Sequence, residues 1–223
     1  MENTEKVIHS GTYFECAHSW AKEELDLLKS QINEGALVVL PTDTVYGIGV
    51  SADDHQGVRR LLAAKGRGET MPPPVLVASV EQAQSVSIDL DDDAIGLMKA
   101  FWPGALTLIV RANPSVNWDL GKTHGTVALR MPNHPQVCEL LEAVGPMAVT
   151  SANLTGEPPA TNIDEALGYF RGTVDYYVNS GPTQSAQPST IIDCAHGQAR
   201  VLREGALSVE DIARVLDYQP LAR

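Results

Sequence analysis

Short continuous apolar runs alternate with stretches of helical period along most of this chain. Residues 36–40 (ALVVL) form such a run, rich in Val and Leu, which predicts a buried strand over 36–41 closed by Pro41. Before it, SWAKEELDLLKSQINEG sets Leu25, Leu28 and Ile32 on one helical face and stops at Gly35. After it, Asp53 or Asp54 caps a helix predicted over 54–65 with Val58, Leu61 and Leu62 as its apolar face. Gly66 suits the left-handed conformation that ends such a helix.

The same alternation continues with a strand at 75–78 and a helix opened by three aspartates at 91–93, whose apolar positions are Ile95, Met98 and Phe101. Those acids suit a helix start rather than a metal site. Strands are predicted at 105–111 and 126–132, with a polar loop at 112–124 between them. Pro135 opens a helix carrying Val137, Leu140 and Leu141 to Gly145. A strand at 147–153, a helix from Asn162 and a strand at 174–178 follow. The polar loop 179–190 is expected to be a mobile cover over a site. STIID and ARVLR predict two more strands, and Ser208 with Asp211 forms a capping box for a final helix.

Alternating helices and strands without a repeat imply an α/β (α+β) fold with a twisted sheet flanked by helices. The 194–199 connection is too short for a parallel crossover, so the sheet is expected to be mixed. Residues 1–18 show no period and are expected to be a partly ordered lead-in. A single domain is expected over 19–223.

The composition is that of an ordinary globule, with 43% hydrophobic and 20% charged residues. A net charge of −12 over 223 residues disfavours non-specific binding to nucleic acid while leaving room for a local basic pocket. Cys16, Cys138 and Cys194 are far apart and form no CxxC, so neither a disulfide framework nor a zinc site is indicated. No apolar run has the length of a signal peptide or a membrane span, and a cytoplasmic location is expected.

The candidate chemistry sits where apolar strands run out. Thr42, Thr44 and Tyr46 follow the first strand, Arg130 ends another, Ser151 and Asn153 a third, and Ser189 and Thr190 stand at a fourth. Lys65, Arg67 and Arg203 add cations. Taken singly, each is an ordinary turn or surface residue. Together, at one edge of a sheet, they would make an anion-binding cleft. Residues 116–123 (VNWDLGKT) approximate a phosphate-binding loop but carry Val116 where the first glycine belongs, so the amides could not wrap a phosphate. Asn153-Leu-Thr155 has the form of a glycosylation sequon, which means little without a secretory route. No histidine pair or GxSxG nucleophile context is present.

The segments PTDTVYGIG, KGR and PVLVAS, followed in order by TVALRMP, TSAN with GEPPAT, PSTIID and VLREGAL, resemble the YrdC-like family, the threonylcarbamoyl-adenylate synthases of tRNA modification. The resemblance spans roughly residues 20–217. It implies a twisted mixed sheet with a concave, positively charged cavity. The implied reaction turns L-threonine, bicarbonate (or carbon dioxide) and ATP into threonylcarbamoyl-AMP and pyrophosphate, and a downstream threonylcarbamoyl transferase complex then modifies adenosine in tRNA. By resemblance, Lys65 and Arg67 would be catalytic. ATP would be held by Lys65, Arg67, Tyr46, Thr126, Ser151, Asn153, Thr161 and Arg203. Threonine would be held by Thr42, Arg130 and Ser189. Mg2+ would be carried on the ATP phosphates.

Met71 stands where many relatives have a lysine, so either phosphate binding is weakened or the cavity compensates elsewhere. Ending at 223, the chain is expected to match the short form of the family. The rival expectation is an RNA-binding or ribosome-associated factor of the same fold without synthase activity; a weak local RNA contact is compatible with either. A paralogue using carbamoyl-adenylate chemistry in protein maturation would need further domains for which this chain has no room.

Overall fold

The structure is a computed structural model and describes residues 7–8, 11–68 and 70–222. Its strands are β1 (Val7–Ile8), β2 (Gly11–Glu15), β3 (Val38–Leu40), β4 (Gly47–Ser51), β5 (Val75–Leu76), β6 (Ser87–Ile88), β7 (Leu106–Ala112), β8 (Thr126–Arg130), β9 (Met147–Ser151), β10 (Tyr176–Asn179), β11 (Thr190–Asp193) and β12 (Arg200–Arg203). Its helices are α1 (Lys22–Asn33), α2 (His55–Ala64), α3 (Val80–Ser85), α4 (Asp92–Phe101), α5 (Pro135–Val144), α6 (Ile163–Phe170) and α7 (Val209–Leu216).

The strands join in one sheet of order β1-β2-β10-β3-β4-β9-β5-β8-β7-β11-β12, with β6 paired to β7. The sheet is mixed. β10 runs parallel to β2 and β3, β5 to β8, and β7 to β11, while the other pairs are antiparallel, including β11 with β12 across the short 194–199 connection.

Alternate residues of the same strands feed two separate cores. Val39, Val75 and Ala148 pack on one face with α2, α4, α6 and α7. Val38, Leu40, Leu76 and Met147 pack on the other face with α1 and α5. On that second face, residues of β8, β7 and β11 stay outside this core and instead line a concavity.

Several expected elements differ from those observed. The sheet begins earlier than expected, because β2 lies within the segment read as a lead-in and pairs in register with β10 (Tyr13 with Tyr177). Residues 1–6 and 9–10 of that lead-in lie outside the described residues. β4 was not expected, since its sequence GIGVS has two glycines and no alternation, yet all five residues are buried. The glycines have a packing reason: a Cβ on Gly49 would stand 2.9 Å from the Ala148 carbonyl oxygen of the next strand. The short α3 and β6 were also missed. The first helix starts at Lys22 rather than Ser19, and the strand predicted at 147–153 ends at Ser151. α4 turns Ala94, Leu97 and Met98 inward, leaving Ile95 and Phe101 half-buried.

The predicted caps are present. Asp54, not Asp53, caps α2 by accepting from the Gln56 amide at 3.0 Å, and Ser208 accepts from the Asp211 amide at 3.1 Å.

Candidate functional site

A cavity of about 440 Å³ lies on that second face over β8, β7 and β11, a size suited to a small-molecule ligand. Its floor is made of residues two apart on adjacent strands: Thr107 and Ile109 of β7, Thr126, Ala128 and Arg130 of β8, and Ile191 of β11. The β7–β8 register, with Leu108 opposite Leu129, sets Thr107 beside Arg130 and Ile109 beside Ala128. One end of the floor is therefore polar and cationic. The other, toward Val127, Leu120 and Thr123, is largely apolar. The four-residue step along β8 from Arg130 to Thr126 spans about 13 Å, enough for an elongated ligand. Among the described residues, the charged side chains lining the cavity are Arg67, Arg130 and Arg203, and no carboxylate lines it.

Each arginine is fixed by backbone that the sequence shapes locally. The loop between β3 and β4 is turned by Thr42, whose hydroxyl donates to the Val45 carbonyl at 2.6 Å and accepts from the Thr44 amide at 3.1 Å. This presents Thr44 and Asp43 to Arg130. Arg130 donates from Nη1 to Thr44 Oγ1 at 2.9 Å, from Nη2 to Asp43 Oδ1 at 2.6 Å and from Nε to the Gly104 carbonyl at 3.0 Å. Three of its five N–H groups are thus engaged, leaving one on each terminal nitrogen for a ligand.

Arg203 reaches back from β12 and donates from Nε and Nη2 to the Ser189 carbonyl at 3.0 and 2.8 Å. The Ser189 hydroxyl is 2.8 Å from Thr107 Oγ1, which joins β11 and β7 at the polar end. Burial pulls the pKa of Arg203 down, and the neighbouring Arg130 and Arg67 add to that effect.

At the end of α2, Gly66 (φ +63°) lets the chain turn left-handed. Its amide bonds Ala63 O at 3.0 Å and that of Arg67 bonds Leu62 O at 2.9 Å, the paired pattern of a Schellman ending. That turn aims Lys65 and Arg67 at β9. Arg67 Nη1 donates to Thr150 Oγ1 at 3.1 Å, while its buried Nε has no partner among the described residues. Lys65 is fully buried behind the wall. Its Nζ donates to the Ser151 carbonyl and, at 2.8 Å, to Asn153 Oδ1, which also accepts from Ser151 Oγ at 2.6 Å. Burial and the charge of Arg67 lower the Lys65 pKa to about 7. A neutral amine keeps two N–H donors, matching the two acceptors present.

The sequence comparisons agree on one family. The Sua5/YciO/YrdC family model, whose description reads "Telomere recombination", matches residues 30–205. The chain belongs to the Sua5/YciO/YrdC family. A Mycobacterium tuberculosis protein provisionally named threonylcarbamoyl-AMP synthase is 50% identical over 185 residues, covering 83% of this chain and 85% of that protein. The threonylcarbamoyl-AMP synthase of Pyrococcus abyssi is 37% identical over 186 residues, 83% of this chain and 55% of that protein. In three dimensions, the crystal structure of P. abyssi Sua5 complexed with L-threonine superposes with a TM-score of 0.90 at 32% identity, over 95% of this chain and 62% of that one. Escherichia coli YciO shares the fold, with a TM-score of 0.82 at 24% identity over 91% of this chain and 99% of that one.

In this Sua5/YciO/YrdC chain, Thr42, Tyr46, Arg67, Thr126, Arg130, Ser151, Ser189 and Arg203 line the cavity. Lys65 and Asn153 do not, and stand directly behind Ser151. Thr161 is outside as well. Its hydroxyl and amide are taken by Glu165, and its carbonyl accepts the Thr183 amide at 2.7 Å. The Tyr46 hydroxyl is already used, donating to the Gly181 carbonyl at 2.7 Å.

These contacts revise the expected mobile cover. Loop 179–190 is tied down near its start by Tyr46, Thr161 and His134, whose Nε2 is 3.0 Å from Ser180 Oγ. Only its last residues, Pro188 and Ser189, reach the cavity. Thr190 lies beneath as a structural tie, accepting the amides of Gly205 and Leu207.

The lining also contains residues that were not assigned a role. Thr44 lies inside the PTDT motif, whose Asp43 holds Arg130 without itself lining the cavity. Thr107 sits within an apolar strand and carries no signal, while Thr150 opens the TSAN segment. Leu120 and Thr123 belong to the stretch set aside as an incomplete phosphate loop.

Proposed function

We propose that this chain is an L-threonylcarbamoyladenylate synthase, a nucleotidyltransferase. The observation that carries the proposal is the convergence of Arg67, Arg130 and Arg203, with Lys65 behind them, on one concavity. The relatives' names and the L-threonine in the Sua5 structure favour this substrate set over other anions.

The amine of L-threonine and carbon dioxide form a carbamate, losing one proton. A carbamate oxygen then attacks the α-phosphorus of ATP, and the bond to the pyrophosphate oxygen breaks. A carbamate is already an anionic nucleophile, so the step needs positioning and positive charge more than a strong base. Arg130, with its two remaining N–H groups, would grip the threonine carboxylate beside Thr42 and Ser189. Arg67 and Arg203 would neutralise the phosphates, with Ser151 and Thr126 along the nucleotide. Lys65 and Asn153 would hold Ser151 in place rather than touch ATP. Tyr46 would offer its ring, and Thr161 would act through its hold on the 179–190 loop.

Magnesium would enter on the phosphates and help neutralise the leaving pyrophosphate. Among the described residues no cluster of His, Cys, Asp or Glu forms a cage for it. A cytoplasmic location fits a product destined for tRNA through a transferase complex. Among the described residues no helix is long and apolar enough to cross a membrane.

Pyrophosphate release from ATP, measured with threonine and bicarbonate each present or omitted, tests the proposal. Release that needs both supports the synthase. Release that needs neither overturns it, and salt-sensitive RNA binding without release would point instead to an RNA-binding member of the fold.

A further inference from the structure

The loop between β7 and β8 is closed at its base by the Ala112 amide donating to the Gly125 carbonyl at 2.9 Å. It leaves the sheet and returns through three left-handed residues, Gly121, His124 and Gly125. One side of the loop faces the cavity, where Leu120, only 4% exposed, and Thr123 form the apolar end. The other side is fastened to the start of α2 at three places. Trp118 Nε1 donates to Asp53 Oδ1 at 2.8 Å, His55 Nε2 lies 2.6 Å from the Asn117 carbonyl, and Arg59 pairs with Asp119 at 2.8 Å. These contacts are solvent-exposed, and exposed pairs hold weakly. Behind them, Val116 and Trp118 pack partly against the main core.

We propose that this loop is a latched wall, in which Asp53, His55 and Arg59 are positioning residues that hold Leu120 and Thr123 against the base of a bound nucleotide. The polarity of the cavity assigns that ligand. Triphosphate and carboxylate belong with Arg67, Arg130 and Arg203, so the least polar part of the substrate, the purine, falls at the Leu120 end about 13 Å along β8. The wall differs from a phosphate loop in kind: it presents an apolar side chain, not a nest of amides. The inference rests on the nucleotide reading given above.

The test uses the full chain with ATP and L-threonine as separate probes in calorimetry, and hydrogen exchange over residues 113–125. In an Arg59→Ala/Asp53→Ala variant, exchange in the loop should rise and ATP affinity should fall about tenfold. L-Threonine affinity should stay within about twofold, because Arg130, Thr42 and Ser189 are untouched. Leu120→Ala, which leaves the latch intact, should weaken ATP similarly without raising exchange. Faster exchange with unchanged ATP affinity overturns the wall. Equal losses of ATP and threonine overturn the assignment of the purine to this end. A wild-type chain that binds neither probe removes the nucleotide reading itself, and the proposal with it.

Discussion

Asp43 Oδ1 holds Arg130 Nη2 at 2.6 Å and, with the same oxygen, accepts the Asn133 amide at 3.0 Å. One carboxylate thus ties the β3–β4 loop, the end of β8 and the entry to α5 around a guanidinium whose side chain is 8% exposed. Removing it would leave a buried cation without its counter-charge. Asp43→Ala is expected to cost about 3 kcal/mol in urea unfolding, the low end for breaking a buried pair. It should also weaken L-threonine binding in calorimetry more than ATP binding. Asp43→Asn, which keeps the acceptor oxygen but not the charge, should recover part of both losses.

Lys65 links stability to pH with a definite sign. Its folded pKa of about 7 lies below the usual 10.5, so between those values the unfolded chain binds more protons than the folded one. Stability from this group therefore rises with pH across that window and is most reduced below pH 7. Lys65→Met should flatten that slope in denaturant titrations at several pH values. Triphosphate binding nearby should favour the charged amine again. Calorimetry of ATP binding near pH 8, in buffers of different ionisation enthalpy, should then show uptake of up to about one proton, absent in Lys65→Met.

Gly205 passes so close to the Pro188–Ser189 backbone that an added Cβ would lie 2.7 Å from the Ser189 carbonyl carbon and closer still to the Pro188 oxygen. Neither neighbour is a flexible side-chain end, so Gly205→Ala must shift the shelf on which Arg203 rests. The expected cost is about 2 kcal/mol, read as a fall in Tm of about 5 °C. A raised KM for threonine should accompany it, since Ser189 moves.

Met71 lines the cavity mouth and is 46% exposed. Met71→Lys places a fourth cation near the three lining arginines at little cost in stability. ATP affinity should rise about threefold at low salt and lose most of that gain at 0.5 M salt, where screening is short-ranged. Equal affinity at both ionic strengths would show that the position does not face the phosphates.

Much of the periodic architecture was legible along the chain. The end of α1, both ends of α2 and α5 and the start of α7 followed to within two residues from apolar spacing together with Gly35, Gly66, Pro135 and the Ser208–Asp211 box, because caps and stripes are local physics. β4 was not legible: its glycines are explained only by the close approach of β9. β2 was hidden because its reason to exist is a parallel partner, Tyr176–Asn179, far along the chain.

The candidate site divides the same way. By itself the sequence determined which side chains stand at strand ends, and hence that hydroxyls and cations were available to an anion. Only the tertiary structure decided which of them share a cavity. It brought Arg67, Arg130 and Arg203 together, set Lys65 and Asn153 one layer behind, and left Thr161 outside. It also turned an incomplete phosphate loop into an apolar wall. Backbone periodicity reports which face a residue takes, whereas convergence depends on strand order, and strand order arises from pairings between segments that no local pattern connects.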